Sequence, residues 1–201
     1  CHLGLDLKEL EGDKLDIITK DVLKNIDINL LESVMDVEVQ EVQDYPFKSI
    51  IKKDEKCAVV YDKNFSFLYH DNLEYLKEVY NEVVLVDSTK DEEIPKDVSK
   101  VFIVGGYVET QESYERVKNS TKFKNSLLRH VQNKKEVYAE CAGLIYLGNK
   151  IDDKKMSGIL DIEFKLGKKR ERLGYYKALD YDTNEVTMGH AFHYSYITKA
   201  P

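Results

Sequence analysis

Residues 137–148 read VYAECAGLIYLG. The lead-in is apolar and β-branched, as a buried strand would be, and the tail carries apolar residues at helical spacing. Between them stands one cysteine, Cys141, after an acid and before two small residues. A strand that turns into a helix over so few residues forms an elbow and lifts one side chain above the carboxyl edge of a sheet. Ala142 and Gly143 have the small size that a tight elbow needs. A helix N-terminus stabilises negative charge, which favours the nucleophilic thiolate. The same position also reads as a buried apolar filler, because free cysteine is among the most buried residue types.

Working outward, the segments around this elbow alternate. CAVVY (57–61), EVVLVD (82–87), VFIVGG (101–106) and EVYAE (136–140) read as short buried strands. HDNLEYLKEVY (70–80) reads as an amphipathic helix with Leu73, Leu76 and Val79 on one side, and SLLRHVQ (126–132) belongs to another helix. Strands alternating with helices predict a parallel sheet covered on both faces. After residue 155 the rhythm turns β-like, with GILDIEF, LGYYKALDY and EVTMGHAFHYSYI as strands joined by turns.

The first fifty residues differ. Leu15, Ile18, Val22, Leu23, Ile26, Leu30, Leu31 and Val34 follow a largely helical spacing, and NID at 25–27 marks a break between two helices. QDYPFKSIIKKDEK (43–56) is polar, holds a proline and reads as a linker.

The 201 residues carry a formal net charge of −7, with acids and lysines interspersed. That balance argues against nucleic acid as the main partner. No apolar run approaches the roughly 20 residues of a membrane span. Three widely spaced cysteines, Cys1, Cys57 and Cys141, give neither a disulfide framework nor zinc-ligand spacing, so no metal site is expected and a reducing cytoplasm is the expected setting. The first residue is Cys1, and the chain reads as a fragment or a processed form.

Three further stretches carry candidate chemistry. Gly105-Gly106 ends a buried strand, where paired glycines let backbone N–H groups face a ligand and offer an oxyanion hole to a carbonyl attacked by Cys141; the plain alternative is a strand-to-loop turn. His190 and His193, three apart in a strand, point to opposite faces and make a poor metal pair. In YDKNFSFLYHDNLEYL (61–76), Asp62, Asn64 and Ser66 follow the first strand, with Phe65, Phe67 and Tyr69 interleaved; they line a ligand crevice or form an aromatic core cluster.

Taken together, AECAGLIYLG, FIVGGYVE, GHAFHYS and the stretch ending in DNLE resemble the glutaminase half of the cobyrinate a,c-diamide synthase family. HLGL (2–5) is similar to the last segment of that family's ATP-binding domain. The resemblance implies an α/β fold: a flavodoxin-like class I glutamine amidotransferase domain over 53–201 with a mainly parallel central sheet. It also implies a helical tail of the preceding synthetase domain, with its linker, over 1–52. Cys141 would attack the side-chain amide of glutamine, with the oxyanion held by N–H groups of Ala142 and Gly106, and Gly105 and Tyr107 beside the glutamine. The ammonia would serve ATP- and Mg²⁺-dependent amidation of the a and c carboxylates of a tetrapyrrole acid. ATP and Mg²⁺ belong to the whole enzyme and no cofactor to this chain, which lacks a phosphate-binding glycine loop.

The sequence departs from the family pattern at Val104 and Val108, which stand where a glycine and a proline are usual, and at Ala142 in the elbow. The family's base is a histidine in a Y-x-H context beyond GHEFHYS. This chain stops at Pro201 before such a motif, leaving His193 as the candidate within it and activity of the isolated chain expected to be weak. Two other readings stand beside this one: a stand-alone cysteine hydrolase of the broad class I amidotransferase and DJ-1-like group, and a binding domain that has lost catalysis. The identity of the tetrapyrrole, the order of amidation and the oligomeric state, a homodimer included, are left open by the sequence.

Overall fold

The computed structural model describes residues 13–35 and 50–200 and divides the chain into two compact units, Cys1–Pro46 and Phe47–Pro201. The reading of HLGL at 2–5 and most of the linker lie outside the described residues. In the first unit, α1 (Asp13–Asn25) and α2 (Ile28–Met35) are separated at Ile26-Asp27, where the sequence placed a break. Asp27 makes that break: its Oδ1 accepts the Leu30 N–H at 3.0 Å, capping α2. The apolar positions from Leu15 to Val34 are all exposed.

The second unit is α/β. Its elements begin with β1 (Lys53–Val60), α3 (His70–Val79), β2 (Tyr80–Val86), β3 (Lys100–Ile103), α4 (Gln111–Val117), α5 (Thr121–Gln132), β4 (Glu136–Ala139) and α6 (Ala142–Leu147). β1 starts at Lys53, so the last four residues of the stretch read as a linker belong to the strand. The four strands form one parallel sheet in the order β2-β1-β3-β4, which is the order of the first four strands of a flavodoxin-like sheet. All four residues from Cys57 to Val60 are fully buried. A central parallel strand is covered on both faces, and this is why the sequence shows a continuous apolar run there rather than alternation.

Helix α5 turns Phe123, Ser126, Leu127 and His130 inward, at i, i+3, i+4 and i+7. Phe123 meets Tyr146 of α6 with ring centroids 5.7 Å apart, and Tyr146 meets Phe65 edge-on at 5.8 Å. α4, polar except for Tyr114 and Val117, has too little apolar pattern to be read from sequence. It is started by Thr110, whose Oγ1 accepts the Ser113 N–H.

The remaining strands lie outside the parallel sheet. β5 (Lys150–Ile151), β6 (Lys154–Lys155), β7 (Glu163–Leu166) and β10 (Ser195–Lys199) form a second sheet in the order β10-β7-β5-β6. Its Ile151 and Phe164 are buried in the common core. β5 and β6, two residues each, are too short to show a period and precede the point where the sequence turned β-like. β8 (Arg172–Leu179) and β9 (Val186–His193) pair only with each other, antiparallel.

The register positions the site. Val60, Ile103 and Ala139 lie level across β1, β3 and β4. The loops after these three strands therefore leave the sheet side by side at its carboxyl edge.

Phe123 is fully buried and in contact with Tyr146. Phe123→Ala is expected to lower unfolding free energy by about 3–5 kcal/mol, the range for removing a buried aromatic ring. Urea titration followed by far-UV circular dichroism checks it. A loss under about 1 kcal/mol would show that the core relaxes around the missing ring.

Candidate active site

Cys141 sits between β4 and α6 with φ 50° and ψ −116°. No regular element uses this conformation, and for a residue with a side chain it stores on the order of 1–3 kcal/mol. Local hydrogen bonds hold it: Glu140 N–H donates to Ile103 O (3.1 Å), Gly143 N–H to Glu140 O (2.8 Å) and Ile145 N–H to Cys141 O (3.1 Å). Gly143 lets α6 pass close under β3, since a Cβ there would stand 2.4 Å from Ile103 O. Ala142 is the first residue of the helix and fully buried, so its place in the elbow uses ordinary helical backbone. Cys141 is exposed, which removes the buried-filler reading; Cys57, in β1, is the buried cysteine.

Two backbone donors converge on the sulfur, the N–H of Gly106 and the N–H of Ala142. They come from different loops, and the chain brings them together through a second tight approach. Gly106 has φ +156°, and a Cβ on it would fall 1.9 Å from Asn64 O. The neighbouring Tyr107 N–H donates to that same oxygen at 2.7 Å, and Phe67 N–H donates to Gly105 O at 3.0 Å. Gly105 itself lies against Cys141 and Phe67. The Tyr107 ring packs edge-on against Phe67 at 5.4 Å. Of the residues singled out from the sequence, Cys141, Ala142, Gly105, Gly106 and Tyr107 are thus gathered in one place. Val104 and Val108, the departures from the family pattern, are both buried.

Asp62 and Asn64 do not face a ligand. Asp62 Oδ1 accepts the N–H groups of Asn64 and Phe65, and its Oδ2 accepts the N–H and hydroxyl of Ser88. Asn64 is fully buried; its Nδ2 donates to Ser113 O, and its Oδ1 accepts from Arg116 Nη1 at 3.0 Å. Of the interleaved aromatics, Phe65 is core while Phe67 and Tyr69 are exposed. Both readings of that stretch were therefore partly right: Phe65 is packing, and the polar residues build the loop that carries the donors.

His193 lies at the end of β9, paired with Arg172. Its Nδ1 is 2.7 Å from Ser195 O. A carbonyl only accepts, so Nδ1 is the donor in this contact. Among the described interactions, none joins His193 to Cys141.

The electrostatics correct one expectation. Although Cys141 is exposed as a residue, the protein packed around its sulfur pushes the thiol above its ordinary range; the Gly106 and Ala142 donors oppose this, and the charges of Glu109 and Glu140 add to it. The resting group is a thiol at neutral pH. Glu109 was not singled out from sequence, although it closes the FIVGGYVE stretch (102–109) on which the family resemblance partly rests.

Residues 56–201 match the family of CobB/CobQ-like glutamine amidotransferase domains. Cobyrinate a,c-diamide synthases are similar over most of the chain. The one from Clostridium tetani is 32% identical over 92% of this chain and 42% of its own length. Those from Methanocaldococcus jannaschii and Archaeoglobus fulgidus are 32% and 33% identical, each over 96% of this chain and 45% of its own. The chain thus spans less than half the length of these curated relatives. Among solved structures, a glutamine amidotransferase from Thermotoga maritima aligns with a TM-score of 0.51 at 16% identity, covering 74% of this chain and 64% of that one, a likeness of fold.

Iodoacetamide at pH 7–8 is expected to modify Cys141 and spare Cys57, which is fully buried and pushed up to about 11. Because the Cys141 thiol is raised, its alkylation rate should keep climbing past the ordinary cysteine value of about 8.5. Peptide mapping across a pH series reads both. A plateau below pH 8 would contradict the assigned balance of burial and donors.

Proposed function

This chain belongs to the CobB/CobQ-like glutamine amidotransferase family, and from that premise we propose that it hydrolyses glutamine through a thioester on Cys141. The observation that carries the reading is the convergence of the Gly106 and Ala142 N–H groups on an exposed, strained cysteine. Attack of sulfur on the amide carbon forms a C–S bond and places negative charge on the former carbonyl oxygen. That oxygen arises one bond from the carbon that sulfur has just joined, within the field of the same donors. Preorganised donors of this kind are each worth about 10²–10³ in rate. Collapse breaks the C–N bond, and the thiol's proton ends on the leaving ammonia. Water then cleaves the thioester, giving glutamate and restoring the thiol. Gly105 and Tyr107 wall the crevice on the side of Phe67. His193 receives no step here, since no described contact brings it to the thiol.

In the longer protein the ammonia would be consumed by ATP-dependent amidation of a tetrapyrrole acid, the activity in the relatives' name. ATP and Mg²⁺ do not fit the crevice around Cys141. Its glycine loop is turned onto the sulfur and tied by Asn64 and Phe67, and two carboxylates beside it would repel phosphate. They would bind the part of the relatives' length that this chain does not span. A reducing, cytoplasmic setting suits two free cysteines among the described residues, one of them a working thiol.

A diazo-ketone analogue of glutamine is expected to leave one adduct, on Cys141, and excess glutamine should suppress it. Cys141→Ala should take no adduct and release no glutamate from glutamine. Intact mass and peptide mapping decide this; an adduct elsewhere, or glutamate release that survives Cys141→Ala, would refute the assignment.

A further inference from the structure

Asn64 lies in the loop between β1 and α3 and has no exposed surface. A buried amide needs a partner at each end. Its Nδ2 donates to Ser113 O at 2.7 Å and its Oδ1 accepts from Arg116 Nη1 at 3.0 Å, so both partners come from α4. A carbonyl only accepts and a guanidinium only donates. A flipped amide would set its NH₂ against the guanidinium and its oxygen against the carbonyl, so the two partners together allow one orientation. Arg116 is held in turn by Glu112, one helical turn earlier, with Nη2 2.5 Å from Oε1.

Through its main chain the same asparagine bears on the second donor of the site. Asn64 O accepts the Tyr107 N–H at 2.7 Å and stands 1.9 Å from where Gly106 would carry a Cβ. Further along, the Phe67 N–H ties the loop to Gly105 O at 3.0 Å. The glycine loop is seated on the nucleophile: a Cβ on Gly105 would lie 3.3 Å from Cys141 Cβ, and the Gly106 N–H donates to the sulfur. A path of contacts therefore runs from Arg116 through Asn64 and Gly106 to Cys141. Donors to an oxyanion work because they are fixed before the charge forms, and a misplacement of about 1 Å can cost on the order of 10²-fold in rate.

We infer that Arg116 is a positioning residue of the oxyanion hole, acting on the Gly106 N–H through the Asn64 side chain. This deepens the glutaminase reading and rests on it. Asp62 holds the same loop from the side of β2, accepting the N–H groups of Asn64 and Ser88; Arg116 and Ser113 fix it against α4. Without the guanidinium the buried Oδ1 loses its donor, and the amide turns or the loop shifts to find another. Gly106 moves with it, since main-chain atoms of Asn64 and Phe65 bound it. Two reactions of Cys141 separate this role from general support of the fold. Glutamine hydrolysis passes through an oxyanion. Alkylation by iodoacetamide displaces iodide by sulfur and forms none.

The test runs both reactions on the intact chain, at a temperature where circular dichroism shows each variant folded. Arg116→Met keeps the aliphatic stem and removes the donors. It is expected to lower kcat for glutamate release from glutamine by about tenfold or more, with KM within about twofold. The limiting rate of iodoacetamide alkylation at high pH should stay within about twofold of wild type. Arg116→Lys, which still donates to Oδ1, should lie nearer wild type than Arg116→Met. In an Asn64→Ala background Arg116→Met should add less than about twofold, because the path runs through that side chain. An unchanged kcat in Arg116→Met would overturn the inference. So would a loss that persists in full in the Asn64→Ala background, or a fall in limiting alkylation as large as the fall in kcat, which is the mark of a disordered site. Absence of glutamate release from the wild-type chain, with Cys141 still alkylated, would overturn the glutaminase reading itself and the inference with it.

Discussion

Only two residues, Glu140 and Cys141, separate β4 from α6, and Cys141 makes the turn by leaving the ordinary backbone basins. Much of the surrounding structure serves this transition. Gly143 leaves no room for a Cβ because Ile103 of β3 lies against it, and Glu140 is pinned to the same residue. The parallel sheet supplies the rigid base: β1 is buried on both faces from Cys57 to Val60, and β3 and β4 end level with it. The strain is held by packing and hydrogen bonds on both sides, and its result is a side chain standing above the sheet edge where three loops meet.

The second half of the site is built by a loop that never touches substrate in this account. Asp62 ties the turn after β1 to Ser88 after β2, and Asn64 links that turn to α4 through Ser113 and Arg116. The main-chain oxygen of Asn64 then receives Tyr107 N–H and leaves no room for a side chain at Gly106. One donor is thus set by the elbow and the other by a buried asparagine. Their convergence on sulfur is a property of the whole sheet edge, and neither segment has it alone.

Much of this could be read from the sequence, for identifiable reasons. Long apolar runs such as CAVV, and the strand-elbow-helix of 137–148, carry their structure in their own pattern. So does the break at NID, where an aspartate caps the next helix. What stayed hidden was set by distant contacts. The polarity of α4 conceals a helix that Thr110 starts, and β5 and β6 are too short to have a period. The strand that opens at Lys53 begins with charged residues that look like linker. At the site, the sequence pointed to Cys141, Gly106 and Ala142 but overvalued the helix end. The atoms packed around the sulfur and the charges of Glu109 and Glu140 raise the thiol, and no local pattern announces that balance.

The close approach at Gly106 has a consequence for how such a protein can change. The atom that blocks a side chain there is the main-chain oxygen of Asn64, 1.9 Å from where a Cβ would stand. Trimming a neighbouring side chain cannot make room, so no second substitution rescues a first. Drift is closed at this position and open beside it, at Tyr107 and Phe67, whose rings face one another across the rim. Descendants of this fold can therefore alter what the crevice admits while its pair of amide donors stays fixed. A laboratory library seeking new acyl substrates has the same division of its search space drawn for it in advance.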